Sequence, residues 1–236
     1  MNMEKNGKRN SDYSHSEGYA GGRPLDHSIS VDTQRAFPVY HRKLGNPTPL
    51  GLFSFATTTL ILSLYNAGAR NINVPNVVVA MTMGVGGLCQ LLAGMWEFAT
   101  GNTFGATAFS LYGGFWFSFG LIYWPSSGIL NAYEGEAASQ LSNALGIYLV
   151  TWTVVTLLML GTTFKSSIAL ISTFFFLFMT FMLLAISQFT GSVGVTKAGG
   201  ILGCVTAVLA LYTGSVGLYS PDASYFVLPA GDLTKA

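Results

Sequence analysis

Apolar residues in this chain gather into six long runs, at about residues 50–65, 77–96, 104–124, 141–160, 168–186 and 200–219. A helix needs about 20 predominantly apolar residues to cross a bilayer, and each run is near that length. Turn formers punctuate them. Asn66-Ala67-Gly68 closes the first run, Pro75 precedes the second, Pro125 ends the third and Pro221 ends the sixth. Proline lacks a backbone donor and cannot continue a helix interior. The pattern predicts an all-α integral membrane protein with six transmembrane helices.

Polar residues are segregated just as sharply. Residues 1–43 carry charges and serines throughout and no apolar core, so they are not a secretory signal and read as a disordered tail. From Asn46 to Tyr219 the only charged residues are Arg70, Glu97, Glu134, Glu136, Lys165 and Lys197. The expected plan is a disordered cytoplasmic tail over 1–43, a six-span domain over 44–221 and a short C-terminal tail over 222–236. Arg35, Arg42 and Lys43 stand just before the first span. Positive residues beside a first span favour the cytoplasm, and an even span count puts both termini there.

Composition agrees. The 236 residues are 50% hydrophobic and 9% charged, with a mean hydropathy of +0.48. A soluble domain carries about 25% charged residues, so this chain could not cover its own surface with polar groups. The net charge of +1 gives a nucleic-acid partner no footing; membrane lipids are the expected surroundings.

Small and hydroxylated residues are frequent within the runs. Gly101 and Gly105, and Gly199 and Gly203, have the spacing that lets helices approach closely in lipid. Ser54, Thr57, Thr58, Thr59 and Ser63 crowd the first span, and Thr151, Thr153 and Thr156 the fourth. Such hydroxyls can bond their own helix carbonyls; together they can also line a polar path without buried charge. Cys89 and Cys204 fall in apolar runs and read as packing residues. No histidine lies within a span: His15, His27 and His41 are all in the tail. No P-loop, metal-ligand spacing or nucleophile–base set is visible. The sequence thus points away from an enzyme, an ATP-driven pump, a bound metal or a cofactor.

Two short stretches stand out. Asn46-Pro47-Thr48-Pro49-Leu50-Gly51-Leu52 joins the tail to the first span. Each proline pushes the residue before it towards extended geometry, and Pro49 suits the first position of a helix. The N–H groups of that helix start form a weak anion-attracting end. The other stretch, residues 96–105, reads Trp-Glu-Phe-Ala-Thr-Gly-Asn-Thr-Phe-Gly. Gly101 breaks a helix there, and Asn102 or Thr103 can cap the next. Glu97 is the one acidic residue close to a span end. It either titrates with a substrate proton or fixes the turn by bonding a helix start.

The proline stretch resembles the signature of the acetate uptake transporter family, which includes the bacterial succinate–acetate permease and the fungal ammonia/acetate transporters. Thr48 stands where the family usually has alanine. Gly101-Asn102-Thr103-Phe104-Gly105 with Thr107-Ala108-Phe109, Tyr112-Gly113-Gly114-Phe115-Trp116, Leu183-Leu184-Ala185 and Tyr225-Phe226-Val227-Leu228-Pro229 resemble further family segments in the same order. The resemblance spans roughly residues 44–233. It departs at Gly101, where many fungal members have an acid.

The resemblance implies six spans per protomer, a homo-hexamer in the plasma membrane, and passage of acetate or similar monocarboxylates, with a proton, inside each protomer. It places a constriction on Phe55, Tyr112 and Leu177, substrate contacts on residues 46–52, and a size-linked small residue on Ala210. An apolar ring can close a pore by dewetting. The rival readings are a neutral small-solute channel for ammonia or urea on the same plan, and a membrane sensor that transports nothing.

Overall fold

The computed structural model describes residues 44–72 and 74–233. The tail over 1–43, with its histidines and basic residues, lies outside the described residues. Six long helices follow one another with alternating direction: α1 Thr48–Asn66, α2 Val77–Thr100, α3 Thr103–Tyr123, α4 Leu141–Thr163, α5 Ile168–Thr190 and α6 Val193–Leu218. Five of them (α1, α2, α4 with the turn before it, α5 and α6) are long and apolar enough to cross a membrane. Helix α3 has 21 residues, but glycine, serine, tyrosine and tryptophan dilute its apolar content.

The breaks follow the sequence chemistry. Gly101 closes α2 in the left-handed conformation, with φ +82°, a region glycine enters without strain. Asn102 then caps α3, its Oδ1 accepting from the Gly105 N–H at 3.0 Å. Gly101 is therefore a cap and not half of a packing pair with Gly105. Gly191 closes α5 in the same way, and Ser192 caps α6. Helix α6 thus begins at Val193, about two turns before the apolar run at residue 200, and it takes Lys197 into its first turns. Lys197 falls between the fifth and sixth apolar runs and is helical all the same, because the glycine and serine start the helix before the apolar run does.

At the front of the domain, α1 starts at Thr48 with Pro49 second, not first. Thr48 is helical instead of extended, because the Asn46 side chain turns back and accepts from its N–H at 3.1 Å. Helix α2 holds a wide π-helical segment, Thr82–Cys89, around Gly84, Gly86 and Gly87. Such widenings often sit at functional sites. Cys89 and Cys204 are half-buried free thiols.

Helix α6 packs along α1 and α5, α4 along α5, and α2 along α3. Gly200 sets the α1–α6 contact: a methyl there would sit 2.4 Å from the Ala67 amide nitrogen and 2.8 Å from the Ser63 carbonyl oxygen. Backbone on both sides cannot yield. Gly200→Ala is expected to lower stability by about 1–3 kcal/mol. Gly161→Ala, which meets nothing within 4 Å, is expected to leave it unchanged or raise it. Thermal melting of the two variants in detergent checks this.

The C-terminal residues fold back onto the α4–α5 turn. Ile168 and Ala169, at the start of α5, donate their N–H groups to the carbonyls of Gly231 and Ala230, and Leu233 donates to Ser166. Tyr212 of α6 donates its hydroxyl to the Pro229 carbonyl at 2.7 Å.

Candidate substrate path

Three cavities follow one another through the bundle. The proximal cavity, about 150 Å³, lies where α1, α3 and α5 begin; Thr48, Asn102, Ser167 and Thr213 line it with Leu52, Phe104 and Phe109. A central chamber of about 30 Å³ comes next, and a distal cavity of about 110 Å³ lies near the opposite helix ends. Phe55 and Leu177 line both the proximal cavity and the central chamber. Leu62, Asn66 and Leu184 line both the chamber and the distal cavity. Among the described residues, no Lys, Arg, Asp or Glu lines any of the three.

Phe55, Tyr112 and Leu177 come together near the helix midpoints. All three are buried, at 5%, 3% and 3% exposure. The Phe55 and Tyr112 rings lie 5.9 Å apart, and Tyr112 also meets Phe174 at 6.2 Å and Trp152 at 6.0 Å. The Tyr112 hydroxyl is 2.9 Å from Thr156 Oγ1. Thr156 already donates its one proton to the Trp152 carbonyl at 2.7 Å, so Tyr112 donates to Thr156. A threonine hydroxyl has a single proton. The tyrosine proton therefore points into α4 and not into the neck, and it pins the ring as an apolar wall.

The proline stretch acts as a clasp. Of its residues, Thr48 and Leu52 line the proximal cavity, whereas Asn46, Pro47, Pro49, Leu50 and Gly51 do not. Gly51 lets α1 lie on the Phe109 ring, and Pro49 seats against Gly217. The Thr48 hydroxyl donates to Glu97 Oε1 at 2.5 Å, and the Asn102 amide donates to Glu97 Oε2 at 2.8 Å. Thr100 adds a long contact at 3.4 Å. Glu97 is 1% exposed and lines none of the three cavities. One buried carboxylate thus ties the starts of α1 and α3 to the end of α2. Gly105 leaves room for it, since a methyl there would sit 2.9 Å from Glu97 Cδ. The anion-attracting helix start is also thinner than expected: Asn46 takes the Thr48 N–H, Pro49 has none, and Gly51 donates to Pro47. Ala210 is fully buried in the core and lines none of the three cavities; Thr213, one turn on, lines the proximal one.

Sequence reasoning missed Gln90. It is 1% exposed, lines the proximal cavity beside Phe55 and Tyr112, and its Oε1 has no hydrogen-bond partner among the described residues. A lone amide inside an apolar run was the available signal. Such groups are expensive in lipid and tend to be functional.

The family description GPR1/FUN34/yaaH family matches residues 29–235, a range that takes in every residue the structure describes. The chain belongs to the GPR1/FUN34/yaaH family. Within that family it is 50% identical to the protein named Ammonia transport outward protein 2 of Saccharomyces cerevisiae, over 83% of this chain and 71% of that one. It is 43% identical to Acetate permease A of Emericella nidulans, over 80% of this chain and 66% of that one. It is 35% identical to the Succinate-acetate/proton symporter SatP of Escherichia coli K12, over 80% of this chain and 97% of that one. The solved structure described as “Structure of the bacterial acetate channel SatP” superposes with a TM-score of 0.71 at 35% identity, covering 80% of this chain and all of that chain. These three relatives and the solved structure carry the names of transporters and of a channel, and the solved structure shares the all-helical fold seen here.

Proposed function

We propose that the chain carries acetate and other short monocarboxylates across a membrane along a path inside each protomer, and is not an enzyme. The observation that carries this reading is the row of uncharged cavities meeting at Phe55 and Leu177, in a chain whose relatives are named for acetate transport. A bare carboxylate is costly in a low-dielectric path without a charged partner. With no cation among the described residues lining the cavities, the acid crosses together with its proton. That proton travels with the substrate and not on Glu97, whose oxygens are already engaged. Thr48 and Gln90 are the groups that meet the carboxyl head in the proximal cavity, and the Phe55–Tyr112–Leu177 neck passes the methyl.

All six helices cross the bilayer in this reading, with both termini cytoplasmic and the proximal cavity facing the cytoplasm. The protein works as a homo-hexamer in the plasma membrane. Apolar residues left exposed on α4, such as Val154 and Leu158, and on α6, such as Ile201 and Val208, are surfaces for lipid or for neighbouring protomers. Gln90→Leu keeps the side-chain volume and removes the amide. Losing one hydrogen bond to a charged or strongly polar group is worth about 1.5–3 kcal/mol, so labelled-acetate uptake by reconstituted liposomes should fall about tenfold or more. Uptake at the wild-type rate would remove Gln90 from the path.

One observation favours a second reading. The yeast relative at 50% identity is named for outward ammonia transport, and an uncharged path also suits a neutral solute. Flux of labelled methylamine in the same liposomes, with and without acetate, separates the two.

A further inference from the structure

We infer that residues 229–233 are a strap that ties the start of α5 to α6 and so holds Leu177 in the neck, which makes the C-terminal segment a determinant of the size of solute that passes; this rests on the transport reading above.

After α6 the chain returns to the bundle. Phe226 packs its ring on Tyr219, the residue that follows α6, at 5.1 Å. The Pro229 carbonyl then accepts from the Tyr212 hydroxyl of α6 at 2.7 Å. The next two carbonyls accept from α5: Ala230 from the Ala169 N–H at 3.3 Å, and Gly231 from the Ile168 N–H at 3.0 Å. Leu233 donates to the Ser166 carbonyl at 2.8 Å, and Asp232 pairs with Ser167 as an isolated β-bridge. Gly231 turns the chain at φ +71°, and a methyl on it would sit 3.1 Å from the Ile168 side chain. Three consecutive residues thus run from one helix to the other.

The two helices need that link at this end. Glycines close the seam between them from the midpoint of α5 onward, where Gly203 lies against Thr180 and Gly199 against Leu184. Such residues let helix backbones approach closely in lipid. Nearer the start of α5 the seam is Thr173 against Thr213, hydroxyl to hydroxyl at 3.4 Å. Each of these threonines already donates its one proton to its own helix, to the Ala169 and Leu209 carbonyls, so no proton joins the pair. Thr180 and Thr206, also 3.4 Å apart, are engaged in the same way. Among the described residues, the hydrogen bonds that link α5 to α6 run through the strap.

One wall of the path hangs on it. Ser167, Leu170, Thr173, Phe174 and Leu177 line the proximal cavity from the first turn of α5 to the neck, and Thr213 of α6, the neighbour of Tyr212, lines it too. Leu177 stands about one turn before Thr180, at the edge of the glycine-packed half. Without the strap, the first turns of α5 keep only apolar packing against α6 and are free to lean from it. The proximal cavity then widens and Leu177 loosens against Phe55. The strap touches no solute; it positions the residue that does.

The first readout needs no transport. In a chain carrying Cys89→Ala and Cys204→Ala, the rate at which a small methanethiosulfonate reagent labels Leu177→Cys is measured in nanodiscs. Adding Tyr212→Phe, which removes one hydroxyl from an exposed ring, should speed that labelling about two- to tenfold, the worth of one hydrogen bond. Ending the chain at Ser224 should speed it further. Labelling of Leu184→Cys, in the glycine-packed half, should not change. In liposomes, Tyr212→Phe and the shortened chain should raise the ratio of lactate to acetate uptake by a similar factor. A wild-type labelling rate in Tyr212→Phe overturns the strap, and so does equal acceleration at Leu184→Cys, which marks general loosening. An unchanged uptake ratio behind faster labelling overturns its part in selecting solutes. A wild-type chain that takes up no acetate fails the transport reading instead, and the labelling still decides the strap. Should the shortened chain not fold, Tyr212→Phe decides alone.

Discussion

Alanine in place of Glu97 is expected to remove most of the folded protein, whereas glutamine is expected to keep it. Glu97 is almost fully buried and holds the Thr48 hydroxyl and the Asn102 amide, one on each oxygen. Removing the carboxyl leaves both donors without a partner. A buried donor stripped of its acceptor costs about 1–3 kcal/mol, and two of them with the void approach about 3–5 kcal/mol. That is a large part of the roughly 5–15 kcal/mol that holds a typical domain together. Glutamine keeps the shape and one acceptor oxygen, so its loss should be about 1–2 kcal/mol. Yield and thermal melting in detergent measure both. The glutamine variant also decides between the two roles open to Glu97. As a clasp, it should leave the response of acetate uptake to an imposed pH gradient intact. Loss of that response in a folded Glu97→Gln protein would make the carboxylate a proton carrier.

Leu177→Ala is expected to change what passes. Leu177 lies at the boundary between the proximal cavity and the central chamber and is 3% exposed. Trimming it merges the two spaces beside Phe55. Lactate, which adds a hydroxyl to the acid's carbon chain and a further carbon, should then enter about tenfold faster, while acetate uptake is kept or raised. Stability should fall near the low end of the roughly 2–5 kcal/mol seen for leucine truncation, because part of this side chain already faces a cavity. Uptake of labelled lactate and acetate by the same liposomes gives the ratio. An unchanged ratio would move the neck away from Leu177.

Much of the architecture was legible because membrane helices are marked by length, hydropathy and breakers. Pro125, Gly101 and the Asn102 cap fell where the chain turns. The start of α6 was misplaced because hydropathy was followed past Gly191 and Ser192, a stop and a start signal in adjacent residues. The π segment was not legible: Gly84, Gly86 and Gly87 announce close packing, but nothing in them fixes a backbone widening. Glu97 was legible only as a choice, since its sequence neighbours show the turn but not Thr48, 49 positions away. The orphan hydroxyl of Thr59 could not be told from those of Thr57 and Thr58, because bonding back to the helix is a matter of rotamer and neighbours. The family resemblance named Phe55, Tyr112 and Leu177, and the folded chain brings them together. It did not name Gln90, whose Oε1 is left without a partner among the described residues, or Thr156, which takes the Tyr112 hydroxyl.

The account stands most directly on a flux through the protomer interior. Uptake of labelled acetate into liposomes holding the purified chain, at several external pH values, measures it. The comparison is with Leu177→Trp, a variant that fills the neck. The expected result is saturable uptake that rises as the outside is made more acidic and drops to the protein-free level in the tryptophan variant. Wild-type uptake no greater than that of empty liposomes, or uptake that the tryptophan leaves untouched, would contradict a substrate path between Phe55 and Leu177.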